Sequence, residues 1–191
     1  MSNFRLLASG VDVSGITAEL AAHPELWGSN GYRVMHPESP HYGIADIWLR
    51  WRHWASLLSV ASYQEPHFPV FWPAWRALPS LWPMVRTLSH AVDSVALGGI
   101  LITRINPGES VKEHVDTGWH ALYYDTKVYV CLRGNPFSIN YVEDEAFAPR
   151  EGDIFSFSNQ QRHRVTNDGP TERITAIICY RSAGHDLSET A

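Results

Sequence analysis

Apolar and polar positions follow two different rhythms along this chain, and the change falls near residue 94. Before it the spacing is helical and broken. ITAELAAHPELW (16–27) spaces its apolar residues for an amphipathic helix that Pro24 stops. GYRVMHPESPHYG (31–43) is punctuated by prolines and reads as loop or edge strand, with HPESPH (36–41) expected near a pocket mouth. IADIWLRWRHWASLLSVASY (44–63) mixes aromatic and basic residues. The later part of 66–92 reads as a helix.

After residue 94 the rhythm becomes that of strands. VALGGILITRI (95–105) is a buried apolar strand. KVYVCLRG (127–134) alternates, placing Lys127, Tyr129 and Cys131 on one face and Val128, Val130 and Leu132 on the other. FSINYV (137–142) follows a Gly-Asn-Pro turn, and GDIFSFS (152–158) alternates after a Gly-Asp turn. HRVTN (163–167) and RITAIICYR (173–181) flank Asp168-Gly169-Pro170, a strong turn signal. Six short strands at close spacing predict a mainly β protein with N-terminal helices and jelly-roll closure. The expected organisation is one domain over 1–191. It comprises a helical and loop-rich region (1–94) packed on a barrel, a jelly-roll core (95–182) and a polar tail (183–191).

Composition narrows the function classes. The chain has 191 residues and a net charge of −5, so bulk electrostatics do not favour non-specific nucleic-acid binding. The two cysteines, Cys131 and Cys179, fall inside strand patterns and read as small buried hydrophobes of a reducing compartment. No basic-then-apolar leader opens the chain, and no run approaches the ~20 apolar residues of a membrane span. A cytoplasmic protein without membrane contact is expected. WLRWRHW (48–54) interleaves Arg50, Arg52 and His53 with Trp48, Trp51 and Trp54. Such a run can stack on single-stranded bases or bind an anionic substrate. The favoured reading packs the tryptophans inward and keeps the arginines wet.

The chemistry concentrates in KEHVDTGWH (112–120). In extended backbone, residues i and i+2 point to the same side, so His114 and Asp116 can present an imidazole and a carboxylate to one point. His163, opening a later strand, is the best third ligand. His120 is the competing imidazole. Two histidines and a carboxylate on one face suit Fe(II) and leave positions open for oxygen and a bidentate co-substrate. If Asp168-Gly169-Pro170 closes a hairpin, positions 163 and 173 pair across it, and Arg173 lies beside His163. An arginine in the apolar run RITAIICY calls for an anionic partner, and a carboxylate bound in bidentate fashion would answer it. A cupin-type metal site without such a co-substrate would leave Arg173 unexplained.

The turn NPGESVKEHVDTG (106–118), then KVYVCL, EGDIFSF and HRVTNDGPTER (163–173), together resemble the aspartyl/asparaginyl β-hydroxylase-like branch of the Fe(II)- and 2-oxoglutarate-dependent oxygenases. The resemblance covers residues 97–181 and is loose before them. It implies a double-stranded β-helix (jelly-roll, cupin-like) core and three cofactors or co-substrates: Fe(II), 2-oxoglutarate and O2. By motif, His114, Asp116 and His163 would bind iron, and Arg173 would hold the distal carboxylate of 2-oxoglutarate. Thr103 falls where the family often places a hydroxyl that assists. Lys127 and Tyr129 fall where it often has a basic residue and then a histidine, and tyrosine keeps a hydrogen-bond donor there. Lys127, Trp119 and His120 are candidates to face substrate. The implied reaction hydroxylates a C–H bond of a peptide side chain or amino acid, with release of succinate and CO2. A nucleobase or another small molecule stays open as the substrate.

Overall fold

The computed structural model describes residues 2–28, 30–57, 62 and 65–187. In chain order the elements are β1 (Phe4–Ala8), α1 (Ser14–Ala22), β2 (Ala45–Trp51), β3 (Val70–Phe71), α2 (Leu81–Ala91), β4 (Ser94–Ile105) and β5 (Ser110–His114). There follow α3 (Trp119–Tyr123), β6 (Thr126–Arg133), β7 (Ser138–Val142), β8 (Glu145–Phe147), β9 (Ile154–Phe157), β10 (His163–Asn167) and β11 (Arg173–Ser182). Two antiparallel sheets form. The larger has the order β1-β9-β6-β11-β4-β2-β3, and the smaller β5-β10-β7-β8. This is the predicted jelly-roll architecture.

Side-chain alternation divides the larger sheet into two faces. Val128, Val130 and Leu132 of β6, with Ile174, Ala176, Ile178 and Tyr180 of β11, enter the main core. Ile16 and Leu20 of α1 and Leu81, Val85 and Leu88 of α2 cover that face. Leu81, Val85 and Leu88 recur at the spacing that makes one stripe of a helix. The opposite face carries Lys127 and Tyr129, then Arg173, Thr175, Ile177 and Cys179, and lines a cavity. Register aligns these rows: Thr175 faces Thr103 of β4 on one side and Cys131 of β6 on the other, and Cys179 faces Lys127. Both cysteines are free and buried.

The structure corrects several sequence expectations. The helix of the 16–27 run begins two residues earlier, spans Ser14–Ala22 and ends before Pro24 as expected, and Pro24 opens a separate 3-10 turn over Pro24–Leu26. The first half of the chain is less helical than its pattern suggests: β1, β2 and β3 are all strands of the larger sheet. β8 was also not foreseen; at three residues it is too short for alternation to register.

The largest correction concerns the Asp168-Gly169-Pro170 turn. β10 and β11 do not form a hairpin. β10 pairs with β5 and β7 in the smaller sheet, and β11 with β4 and β6 in the larger. His163 therefore faces His114 and Val142, whereas Arg173 faces Ile105. A turn sequence specifies reversal, not the partner that satisfies each strand edge. Buried Asn167 secures the crossing, its side-chain amide donating to the carbonyls of Ile105 and Thr171 at 2.9 Å each.

The run WLRWRHW packs inward only in part, because Trp54 stays half exposed. Trp48 and Trp51 are buried, and Trp72 stacks on Trp48 with centroids 5.6 Å apart. The arginines are not wet. Arg50 donates to the carbonyls of Leu97 and Gly98 at 2.6 and 2.7 Å, and Arg52, with its side chain 11% exposed, pairs with Glu65. Arg50 is turned into the protein and Arg52 is paired with Glu65, so this run is not the open basic strip that base stacking requires. Part of the 44–63 segment, residues 58–61, 63 and 64, lies outside the described residues.

Candidate metal centre and co-substrate cavity

The turn after β4 sets the first ligands. Asn106 accepts from Glu109 through its backbone carbonyl, and Gly108 takes φ +79, a conformation suited to glycine. β5 then runs to His114, and Asp116 follows, its backbone N–H donating to the Asn159 carbonyl at 2.9 Å. β10 brings His163 directly across from His114. The two rings lie 4.2 Å apart between centroids. Asp116 Oδ1 is 3.5 Å from His114 Nε2, and Oδ2 is 3.9 Å from His163 Nε2. The three ligand atoms all lie within 4.8 Å of one another, and His120 is not among them.

Both imidazoles are oriented the same way. His114 Nδ1 lies 2.8 Å from the Lys112 carbonyl, and His163 Nδ1 2.8 Å from that of Gln161. A carbonyl can only accept, so each Nδ1 carries the proton and each Nε2 presents its lone pair toward Asp116. This is the second-shell arrangement that fixes the tautomer of metal-binding histidines. Burial lowers the His163 pKa, which favours the neutral, ligating form. Burial would raise the Asp116 carboxyl, but the Lys127 ammonium beside it outweighs this and holds it well below the usual range. The donor set, two imidazole nitrogens and one carboxylate, fits Fe(II).

The cavity beneath has a volume of about 450 Å³. Arg173, 2% exposed, lies in its wall. Its Nε donates to Thr175 Oγ1 at 3.1 Å and Nη2 to Asn140 Oδ1 at 3.2 Å, while buried Nη1 has no partner. No carboxylate pairs with Arg173 among the described residues. A buried guanidinium with a free donor facing a cavity is matched to an anionic ligand. Thr103, buried, lines the same wall. Tyr129 lies between Phe155 and Phe157, and its hydroxyl accepts from the Asn159 side chain. Burial and then the Asp116 charge raise the Tyr129 pKa well above 10, so it stays a neutral O–H donor.

Lys127 also lines the cavity, its ammonium paired with Asp116. His120 reaches the cavity edge but is committed to the wall. Its Nε2 accepts from the Gly99 N–H at 3.0 Å and its ring packs on Trp51 at 4.0 Å. Trp119 is not among the lining residues, and stacks on Tyr123 at 4.5 Å.

Several lining residues escaped the sequence reading. Thr175 could have been found, since it lies two residues beyond Arg173 on one strand face. Asn140, on β7, had no signal without knowledge of which strand faces which. Arg33 and His41 sit on an irregular segment. Arg33 Nε lies 2.9 Å from the fully buried Asp46, and the His41 ring meets that of His114 edge-on at 4.9 Å. This agrees with the expectation that the 36–41 segment borders a pocket mouth.

The buried histidines carry a stability prediction. Burial lowers the pKa values of His41, His67, His120 and His163 in the folded protein. Below about pH 6.5 the unfolded chain takes up protons that the folded chain refuses, so stability falls as pH drops. The contribution is fully present above pH 6.5 and is lost toward each folded pKa. His120→Gln keeps an acceptor for Gly99 and removes one proton-uptake site. It should flatten the slope by up to roughly 1 kcal/mol per pH unit, read from urea unfolding at pH 7.5 and 5.5.

Two antiparallel sheets enclosing a cavity, with a His-Asp-His cluster in its wall and a buried arginine lacking a carboxylate partner, define the class of Fe(II)- and 2-oxoglutarate-dependent oxygenases. Residues 36–181 match the family model described as Aspartyl/Asparaginyl beta-hydroxylase, and the chain belongs to that family, whose hydroxylases use Fe(II), 2-oxoglutarate and O2. Solved structures share the fold. A prolyl hydroxylase from Trichoplax adhaerens, in complex with a hypoxia inducible factor peptide fragment, aligns with TM-score 0.59 and 12% identity over 94% of this chain and 84% of that one. The viral collagen prolyl hydroxylase of Paramecium Bursaria Chlorella virus-1 aligns with TM-score 0.54 and 11% identity over 95% and 97%. A 2OG-Fe(II) oxygenase family oxidoreductase from Burkholderia pseudomallei gives TM-score 0.52 and 16% identity over 72% of this chain. The alignment spans 66% of that last protein, just under two thirds of its length. No curated protein matches the sequence. No described helix is long and apolar enough to cross a membrane.

Proposed function

We propose that the protein hydroxylates a C–H bond of a peptide side chain or amino acid. His114, Asp116 and His163 would hold Fe(II), and Arg173 would hold the distal carboxylate of 2-oxoglutarate. The observation that carries this reading is Arg173 Nη1, a buried donor without a partner in the cavity that the His-Asp-His cluster borders. A cupin-type site without 2-oxoglutarate would leave that donor unexplained.

When bound, the iron supplies oxygen activation coupled to oxidative decarboxylation of 2-oxoglutarate, with succinate and CO2 released. The chain's own contribution is positional. Each imidazole is held by its carbonyl partner, so neither must reorient to offer Nε2. Arg173, steadied by Thr175 and Asn140, fixes one end of the co-substrate, with Thr103 beside it. Tyr129 would offer its O–H to the co-substrate, and Lys127 holds Asp116. The apolar lining from Leu101, Ile105 and Ile177 limits water near the reacting atoms. We read residues 1–182 as one unit, because β1, β2 and β3 complete the same sheet that carries Arg173. The peptide or amino-acid substrate is supported by the family match and by the peptide-bound Trichoplax prolyl hydroxylase structure. His120 and Trp119 are left as supports of the wall rather than substrate contacts.

The test is anaerobic titration of Fe(II)-loaded protein with 2-oxoglutarate, watching for the visible metal-to-ligand charge-transfer band. Wild type should develop the band. Asp116→Ala should weaken metal binding severely, by more than the roughly 10- to 100-fold that losing an outer-shell partner costs. A wild-type protein that binds iron but never develops the band would overturn the 2-oxoglutarate assignment. Succinate release over a panel of peptides and free amino acids then finds the substrate.

A further inference from the structure

Lys127 has one anionic partner among the described residues, and it is the carboxylate that the metal needs. Its Nζ donates to Asp116 Oδ2, the oxygen nearest His163 Nε2. The pair is largely withdrawn from water, with side chains 16% and 19% exposed. β6 holds Lys127 in place, its backbone in register with Cys179 of β11. The ammonium therefore cannot drift far from the metal position without a side-chain swing.

Two cavities meet at this pair. Asp116 and Lys127, with Ala121, border both the large cavity and a smaller one of about 320 Å³. The smaller cavity is polar, with Asp125, Ser158 and Asn159 in its wall. An ammonium displaced from Asp116 thus has two directions open. One leads into the small polar cavity. The other leads toward the large cavity, where a bound dicarboxylate would present its metal-side carboxylate.

Resting on the metal-site reading above, we infer that Lys127 and the divalent metal compete for Asp116, and that 2-oxoglutarate relieves the competition by becoming the counter-ion of Lys127. A dication placed beside the pair draws on the Asp116 charge and repels the ammonium. Metal alone therefore weakens an ion pair in a partly dry site, and displacing the ammonium would leave a cation without its partner. With 2-oxoglutarate present, its carboxylate takes the ammonium while Asp116 turns to the metal. Metal and co-substrate consequently bind as a coupled pair, each strengthening the other by the same factor. Lys127 acts through Asp116 as a positioning residue that disfavours metal loading without co-substrate.

The experiment measures Mn(II) binding by electron paramagnetic resonance, with and without 2-oxoglutarate. It compares wild type, Lys127→Met, Lys127→Arg and His114→Ala. Lys127→Met, which preserves side-chain length, should bind Mn(II) about tenfold or more tightly in the absence of 2-oxoglutarate. The tightening that 2-oxoglutarate adds should shrink in the same variant. Lys127→Arg should behave as wild type. Lys127→Gln serves as the neutral variant if circular dichroism shows the methionine variant unfolded. A folded neutral variant whose Mn(II) affinity without 2-oxoglutarate is unchanged or weaker would overturn the competition alone. Wild type that binds Mn(II) no better than His114→Ala would overturn the metal site and the competition with it.

Discussion

Arg173→Ala is expected to raise the 2-oxoglutarate concentration needed for half-maximal charge-transfer absorbance by roughly 100-fold or more. The figure corresponds to about 3 kcal/mol, within the range for removing one partner of a buried charged hydrogen-bonded pair. Iron binding should stay nearly intact, because Arg173 lies on the larger sheet and contacts Thr175 and Asn140 rather than any of the three candidate ligands. The fold should also tolerate the change, since the substitution removes a buried cation that no carboxylate balances. Arg173→Lys is informative beside it. A lysine retains the charge but not the planar fork that matches a carboxylate, so it should restore only part of the affinity. An alanine variant with wild-type 2-oxoglutarate affinity would remove Arg173 from the co-substrate site.

The second large effect is loss of the metal itself. His114→Ala or His163→Ala should abolish metal-dependent turnover, because each removes one of the two imidazoles that would hold the ion. The two variants should differ in stability. His163 is 6% exposed and packs edge-on against Phe157 at 5.2 Å, so its truncation opens a gap between the sheets. His114 is more exposed and packs against the His41 ring, so its truncation should disturb the fold less. Anaerobic Fe(II) titration, with thermal melting of each variant in parallel, separates ligand loss from misfolding. Full activity in either folded variant would strike that histidine from the triad.

Much of the site was legible because it depends on short-range backbone geometry. His114 and Asp116 needed only i, i+2 spacing, and the placing of Lys127 and Tyr129 on one face needed only strand alternation. The burial of Val128, Val130 and Leu132 on the other face follows from the same period. Arg173 was legible for a different reason: a guanidinium within an apolar run is costly unless something binds it.

The route from His163 to Arg173 was not legible in this way. The turn between them predicted that they share a hairpin, and they do not. They reach one cavity from opposite sheets, His163 beside His114 and Arg173 beside Ile105. Both residues still border one cavity, because both sheets face the same interior.

The sequence by itself determined the chemistry on offer, namely two imidazoles, a carboxylate and an arginine in an apolar run, and the alternation that puts Lys127 and Tyr129 on one face of β6. Local spacing and the cost of burying charge suffice for that. Tertiary structure alone decided which strands are neighbours, and hence that His163 meets His114 and that Asn140 steadies Arg173. It also decided that Lys127 pairs with Asp116 and that Arg33 and His41 border the same cavity. Those contacts join residues distant in the chain, and strand pairing is settled by which edges remain unsatisfied once the whole sheet is built.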